Sequence, residues 1–368
     1  MRYLIACLLL ILSVSAQAVQ LDGLYSASVP VADQSPAVRK AAMAEALKKV
    51  IQKVSGRRQP VAEPSLQAAL SNVSSYVEQF QYQRVEDELS AYRLRVSFQK
   101  SALDTVLQQF SVPIWGRNRP EVLLWLALDD GSTRYLLGAE STLDAVLPAA
   151  SDAGLAMTLP LLDLDDQRAL GFNDVWAGFA EQVLAASQRY GVKQVMHGRL
   201  LKIADNEWRL RARLLNAHEQ YPEFEQQGRM DEVLAAFFAT TAERLADIYA
   251  PRGLSQQRQL TMHISGVNDL AKLAEVSDYL SSLDRIKTVE WRAIQGTELE
   301  LLLTVSGDVS VLQEIIALNK VLSLAATPLF PAESPSQELN EQGTVLQPSV
   351  LQGAAARLVP EVLYYRAD

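Results

Sequence analysis

The chain is poor in the residues from which many extracytoplasmic and catalytic sites are built. It has one cysteine in 368 residues, Cys7, placed inside the first apolar stretch. A disulfide framework within the chain is therefore excluded, and if the leader is removed no thiolate nucleophile remains. Histidine is almost as scarce. His197, His218 and His263 are the three present, and no two stand at the four-residue spacing that zinc hydrolases use on a helix. No Gly-x-Ser-x-Gly elbow and no phosphate-cradling glycine loop occurs. Neither a metal nor an organic cofactor is expected. Ser97-Phe98-Gln99-Lys100 has the Ser-x-x-Lys spacing of penicillin-recognising enzymes. That motif needs the serine to open a helix, whereas here it ends an alternating strand pattern.

Long apolar runs are also missing beyond the first eighteen residues. Arg2 precedes an apolar run from Leu4 to Val14 broken only by Ser13, and Ala16-Gln17-Ala18 puts small residues where a signal peptidase reads them. The run is too short for a hydrocarbon core of about 30 Å. Leu4-Ile5-Ala6-Cys7 resembles a lipoprotein box, but too little apolar sequence precedes the cysteine for that chemistry. The reading is a secretory signal peptide cleaved after Ala18, which sends the mature chain to the periplasm of a Gram-negative cell. Loss of Arg2 leaves 33 basic against 43 acidic residues. That modest acidic excess argues against a general nucleic-acid partner.

The remaining sequence predicts an α+β chain of several small sheet-and-helix domains. Residues 19–115 form the first. They comprise a strand over Leu24–Val29, a helix opened by Ser35-Pro36 and closed at Gly56, a hairpin with arms Gln79–Val85 and Tyr92–Gln99, and a helix opened by a capping box of Ser101 and Asp104. Residues 120–250 form a second α/β domain whose strand Glu121–Leu128 is apolar throughout, as for burial on both faces. Helices over Thr142–Ala153, Asn173–Tyr190 and Asp231–Tyr249, a strand over Leu155–Leu161 and a hairpin of Gln194–Ile203 with Trp208–Leu215 complete it. Residues 258–326 follow the order βαββαβ of a ferredoxin-like domain. Residues 327–368 are a Pro-, Ser-, Gln- and Glu-rich tail predicted to be mostly disordered. Its apolar end, Leu358, Val359, Val362, Leu363, Tyr364 and Tyr365, reads either as a docked terminal strand or as a peptide offered to a partner.

Two further clusters carry possible chemistry. Alternation through Trp208–Leu214 puts Arg209, Arg211 and Arg213 on one strand face, with Arg199 in the facing arm. Such a row can grip phosphate, carboxylate or an acidic protein surface, or can simply pair with neighbouring acids. Asp163-Leu164-Asp165-Asp166 offers carboxylates for a hard cation, or a solvated turn with Asp165 or Asp166 capping a helix. Trp115, Arg117, Arg119 and Trp125 bracket the first domain boundary and suit a role in fastening two domains together.

Several phrases occur in a fixed order: Val29-Pro30-Val31-Ala32-Asp33-Gln34-Ser35, Arg119-Pro120 before Leu123-Leu124-Trp125, Leu159-Pro160-Leu161-Leu162-Asp163, Ser187-Gln188-Arg189-Tyr190-Gly191, and Gly198-Arg199-Leu200 before Trp208. Together they resemble the proteobacterial domain of unknown function 2066 family (DUF2066) over about Leu21 to Ala250. The second domain is also loosely similar to TolB amino-terminal-like periplasmic α/β domains and to outer-membrane activators of peptidoglycan synthases. The resemblance implies an exported envelope protein with no assigned reaction.

The expected function is accordingly non-catalytic: a periplasmic binding or assembly factor whose partner is an envelope protein, contacted through the arginine row or the apolar tail end. Two alternatives stay open. One is an envelope hydrolase using acids such as Asp163 and Asp165, and the other is a small-ligand carrier, which would need an apolar cavity of a few hundred Å³. Sequence leaves the oligomeric state undetermined.

Overall fold

A computed structural model describes residues 21, 23–58, 64–84, 92–141, 145–215, 221–250, 257–319, 321–325 and 361–368. The predicted signal peptide, Leu358 and Val359, and all but the end of the predicted tail lie outside them. The chain is mixed α+β, with three sheets among the described residues. It divides into two compact units: residues 1–256 with 307–319, and residues 257–306 with 320–368.

The first unit opens with a three-stranded antiparallel sheet in the order β1-β3-β2, from β1 (Ser26–Val31), β2 (Val77–Arg84) and β3 (Tyr92–Phe98). Helix α1 (Pro36–Ser55) lies on β1 and β3, burying Met43, Leu47, Val50 and Val54 against Val29, Leu94 and Val96. Its apolar spacing and the proline at its first turn explain where it begins. Gly56 ends it in the left-handed region at φ 65°. A Cβ at Gly56 would stand 2.4 Å from the Ala246 Cβ, so this cap also lets α1 end directly against a later helix. A short helix, α2 (Pro64–Ala69), precedes β2, and α3 (Lys100–Gln109) follows β3. The expected capping box is not used. Gln99 is the N-cap, and Asp104 instead accepts a hydrogen bond of 2.5 Å from the Tyr25 hydroxyl and pairs with Lys100.

The second sheet has the order β5-β4-β7-β8-β9, with β6 also paired to β4. Its strands are β4 (Glu121–Asp129), β5 (Arg134–Leu136), β6 (Ala156–Thr158), β7 (Gln194–Ala204), β8 (Glu207–Leu215) and β9 (Phe224–Gly228). β4 runs parallel to β6 and β7, and the other pairings are antiparallel. Val122 to Leu128 are all buried, as a strand covered on both faces requires. One face meets α8 (Met230–Tyr249), which lies against β8, β9 and α4 (Val146–Asp152). The other carries Leu123, Trp125 and Val195 under α5 (Leu164–Ala169), α6 (Phe172–Ala177) and α7 (Ala180–Ser187). The long helix expected over Asn173–Tyr190 is thus interrupted: Gly178 takes a left-handed conformation at φ 82° and turns the chain between α6 and α7.

Arg119 fastens this unit together. It is 3 % exposed, and its guanidinium donates to the carbonyls of Gly116, Gly154, Lys53 and Trp115. These belong to the linker, the α4–β6 turn and the end of α1.

The second unit contains β10 (Gln257–Ser265), α9 (Leu270–Ser281), β11 (Ile286–Gln295), β12 (Glu298–Ser306), β13 (Leu322–Leu324) and β14 (Glu361–Ala367), in the sheet order β11-β12-β10-β14-β13. The antiparallel neighbours β11, β12 and β10 follow the ferredoxin-like order. The place beside β10 departs from it. There the chain's last strand, β14, pairs parallel to β10, and the three-residue β13 is displaced outward. Helix α10 (Val309–Ala317), expected to complete the βαββαβ unit, groups with the first unit and lies beside α8. Leu363, Tyr365 and Ala367 are buried, so the apolar alternation of β14 serves the core of its own sheet.

Candidate functional site

Strand β8 lies between β7 and β9, and its alternation separates two chemistries. Leu210, Ala212 and Leu214 are buried toward α8, while Arg209, Arg211 and Arg213 occupy the opposite face and are only partly covered. Across the ladder, Arg211 stands opposite Arg199 on β7 and Arg213 stands opposite His197. Gly198 lets these strands meet closely, because a Cβ there would lie 2.7 Å from the Arg211 carbonyl.

The four guanidiniums are satisfied unequally. Arg211 pairs with Glu225 at 2.9 Å, and that carboxylate raises the Arg211 pKa further above its ordinary value. With its amide oxygen turned toward Arg209, Gln227 accepts from Nη2 at 2.6 Å. Arg199 donates to the Trp176 carbonyl at 3.0 Å and lies 5.6 Å from the centre of that indole. Arg213 is different because β9 begins too late to reach it: the β8–β9 register ends at Ala212 opposite Phe224. Its Nε is buried and has no hydrogen-bond partner among the described residues.

His197 shares this condition. The ring is 7 % exposed, and neither nitrogen has a partner among the described residues. Burial, with a smaller push from the Arg213 charge, lowers its pKa from 6.5 to about 4, so the ring is neutral at pH 7. The α6–α7 turn passes over it, with Gly178 at its edge. Trp176, stacked on Phe172 at 5.4 Å, and Phe179, 49 % exposed, provide aromatic surface on that turn. Arginine and tryptophan around a buried polar group have the composition of a binding hot spot.

The other predicted residues are placed differently. Asp163 is the N-cap of α5, accepting from the amides of Asp165 and Asp166, and both of its oxygens also take Arg189. Arg189 holds its carboxyl well below the usual range, so Asp163 is unsuited to act as an acid. Asp166 is fully buried and accepts from Arg189, Tyr190 and the Leu162 amide. These carboxylates are bound up in a structural network, and Asp165 lies outside it with Arg168 at 3.6 Å. Among the described residues no group of three His, Cys, Asp or Glu side chains is placed to hold a metal. Leu363 and Tyr365 are buried in their sheet, Tyr364 stacks on His263 at 5.2 Å, and Val362 alone of the described set is well exposed. The arginine row and the terminal strand belong to different units, so they do not constitute a single site within one unit.

The sequence alone excluded a zinc-hydrolase spacing for His197 without giving it a role, and Trp176, Phe179 and Glu225 were passed over. Its position two residues before Arg199 on one strand was the available signal, since period-two spacing puts both on one face.

Comparison with known families corrects the resemblance drawn from the sequence. The family model that matches is a domain of unknown function, DUF8605, over residues 18–116. That span is the three-stranded sheet with its helices and the linker, about a quarter of the chain, and the family is not DUF2066. Phrases such as Val29–Ser35 describe a strand end and a helix start, a combination of wide occurrence. No curated protein matches the chain. No described helix is long and apolar enough to cross a membrane.

Proposed function

We propose that this protein is a non-catalytic binding factor of the Gram-negative periplasm, exported by a signal peptide cleaved after Ala18, that holds an envelope partner on the arginine face of its six-stranded sheet. The observation that carries the reading is the cross-strand pairing of Arg213 with the buried His197, where neither the Arg213 Nε nor either ring nitrogen has a hydrogen-bond partner among the described residues. Buried polar groups are nearly always satisfied, so a pair unsatisfied among the described residues, beside the half-buried Trp176 and the exposed Phe179, points to a contact made with something outside the chain. The alternation of the face and the aromatic turn above it are suited to recognition, and among the described residues no hydroxyl or carboxylate is hydrogen-bonded to His197.

The test is site-specific photo-crosslinking in living cells, with the probe at Phe179. A reproducible adduct with one envelope protein, lost in Arg213→Glu, supports the reading. An abundant, folded protein with no adduct from Phe179 overturns it. Fractionation and mass measurement of the mature amino terminus test export separately, with Val19 as the expected first residue.

One observation favours a second reading, a small-ligand carrier. A cleft of about 540 Å³ lies in the first unit between α1, α4 and α8, lined by small apolar side chains such as Ala149, Leu234 and Ala242 and by the charged Lys49, Arg58 and Asp152. That volume is in the range of small-molecule sites. Native mass spectrometry of the protein purified from its own compartment would reveal a retained ligand.

A further inference from the structure

We infer that the cross-strand pair of His197 and Arg213 is an oxyanion-binding site that takes one carboxylate or phosphate group of the ligand, with Arg199 and Arg211 beside it. The inference rests on the arginine face being the contact surface and names the chemistry that surface recognises.

Cross-strand neighbours on one face have Cβ atoms about 5 Å apart, and like charges placed so are destabilising. Here Arg199 faces Arg211, and Arg213 stands one pair further along opposite a histidine. Among the described residues only Arg211 of the three has a carboxylate in ion-pair reach, Glu225, and Glu223 acts on the same arginine from farther off, which leaves three guanidiniums against two carboxylates. The positive charge on this stretch therefore exceeds what the described residues balance. An anion between the guanidiniums would reverse the sign of each interaction.

The donors fix the kind of anion. Arg213 offers a buried Nε–H, and the guanidinium fork presents a parallel Nη–H beside it, which is the geometry that carboxylate and phosphate oxygens accept in pairs. Neutral His197 adds one ring N–H. A halide has no second oxygen with which to use this fork. A buried water could satisfy one donor, but it would leave the charge of Arg213 unmatched. Trp176 and Phe179 then supply apolar surface for whatever carries the anion.

The experiment is a titration of the full mature chain, labelled with ¹⁵N in its imidazoles and guanidiniums, followed by NMR. Acetate and inorganic phosphate are added in separate arms, with chloride at matched ionic strength as the control. The expected result is a saturable shift of the His197 ring and Arg213 Nε resonances with acetate, phosphate or both, and no such shift with chloride. His263, in the other unit, stays unmoved. Comparing the two arms separates a carboxylate from a phosphate source. Arg213→Gln should weaken binding at least tenfold. Arg213→Lys keeps the charge and the fold but loses the fork, and should weaken it by a similar factor. No saturable shift in either arm overturns the inference, as does a response equal in chloride or unchanged in Arg213→Lys. A Phe179 adduct with an envelope protein alongside a failed titration would leave the contact surface standing and remove only the oxyanion site. A clear titration without an adduct would do the opposite.

Discussion

The Arg119 guanidinium lies 4.0 Å from the centre of the Trp115 ring while one of its nitrogens donates back to the Trp115 carbonyl. The same side chain reaches Lys53 at the end of α1 and Gly154 before β6. One buried cation thus closes the seam between the first sheet and the second. Arg119→Ala removes charged hydrogen bonds and leaves their carbonyls in a dry site, a loss on the order of 3 kcal/mol. Urea unfolding followed by tryptophan fluorescence should show an earlier midpoint for the variant. Arg119→Lys should recover only part of it, because an ammonium cannot span the same acceptors.

Asp166 makes a similar demand around α5. Asp166→Ala removes the acceptor shared by Arg189, Tyr190 and the Leu162 amide while Arg189 keeps Asp163, and a loss of about 2 kcal/mol is expected from the donors left unsatisfied. Asp163 gives this network a pH dependence. Its folded-state pKa is depressed by Arg189, so its contribution is complete above the ordinary carboxylate pKa and is lost as pH falls toward the folded value. Arg189→Gln should flatten the acid limb of a stability–pH curve below about pH 4.

His197 titrates in a separate window. The unfolded chain takes up its proton near pH 6.5, whereas the folded chain does so only near 4. Stability is therefore full above about pH 6.5 and declines as pH falls to about 4, by at most about 3 kcal/mol. Chemical denaturation at pH 7.5 and pH 4.5 should show the difference, and His197→Gln should remove most of it.

Tyr365 offers the opposite test. Its ring is buried in the second unit, yet its hydroxyl has no hydrogen-bond partner among the described residues, and burial pushes its pKa up to about 12. Tyr365→Phe should be neutral or stabilising by up to about 1 kcal/mol, since an unsatisfied buried hydroxyl is removed. Leu363→Asp, one ladder position away on the same buried face, should unfold the unit. Thermal melts of the two variants should diverge in direction.

The comparison of sequence with structure is instructive at β14. Its alternation was legible, and so were both candidate uses, as a docked strand or as a peptide for a partner. What decided between them was β10, whose edge lies about a hundred residues earlier and accepts the strand in parallel register. No local pattern carries a pairing at that separation. The same holds for Asp163 and Arg189, which meet only because α5 and α7 fold onto one face of the second sheet.

By itself the sequence determined the α+β class, the long amphipathic helices α1 and α8, the doubly buried strand β4 and the split of β8 into an arginine face and an apolar face. These follow from hydrophobic periodicity, which is written locally. Tertiary structure alone decided which arginine finds a partner. Glu225 reaches Arg211 because β9 pairs with β8 as far as Ala212, and the ladder stops one residue short of Arg213. The length of a neighbouring strand, which is a property of packing, is the physical reason that the Arg213 Nε and the His197 ring face each other with no hydrogen-bond partner among the described residues.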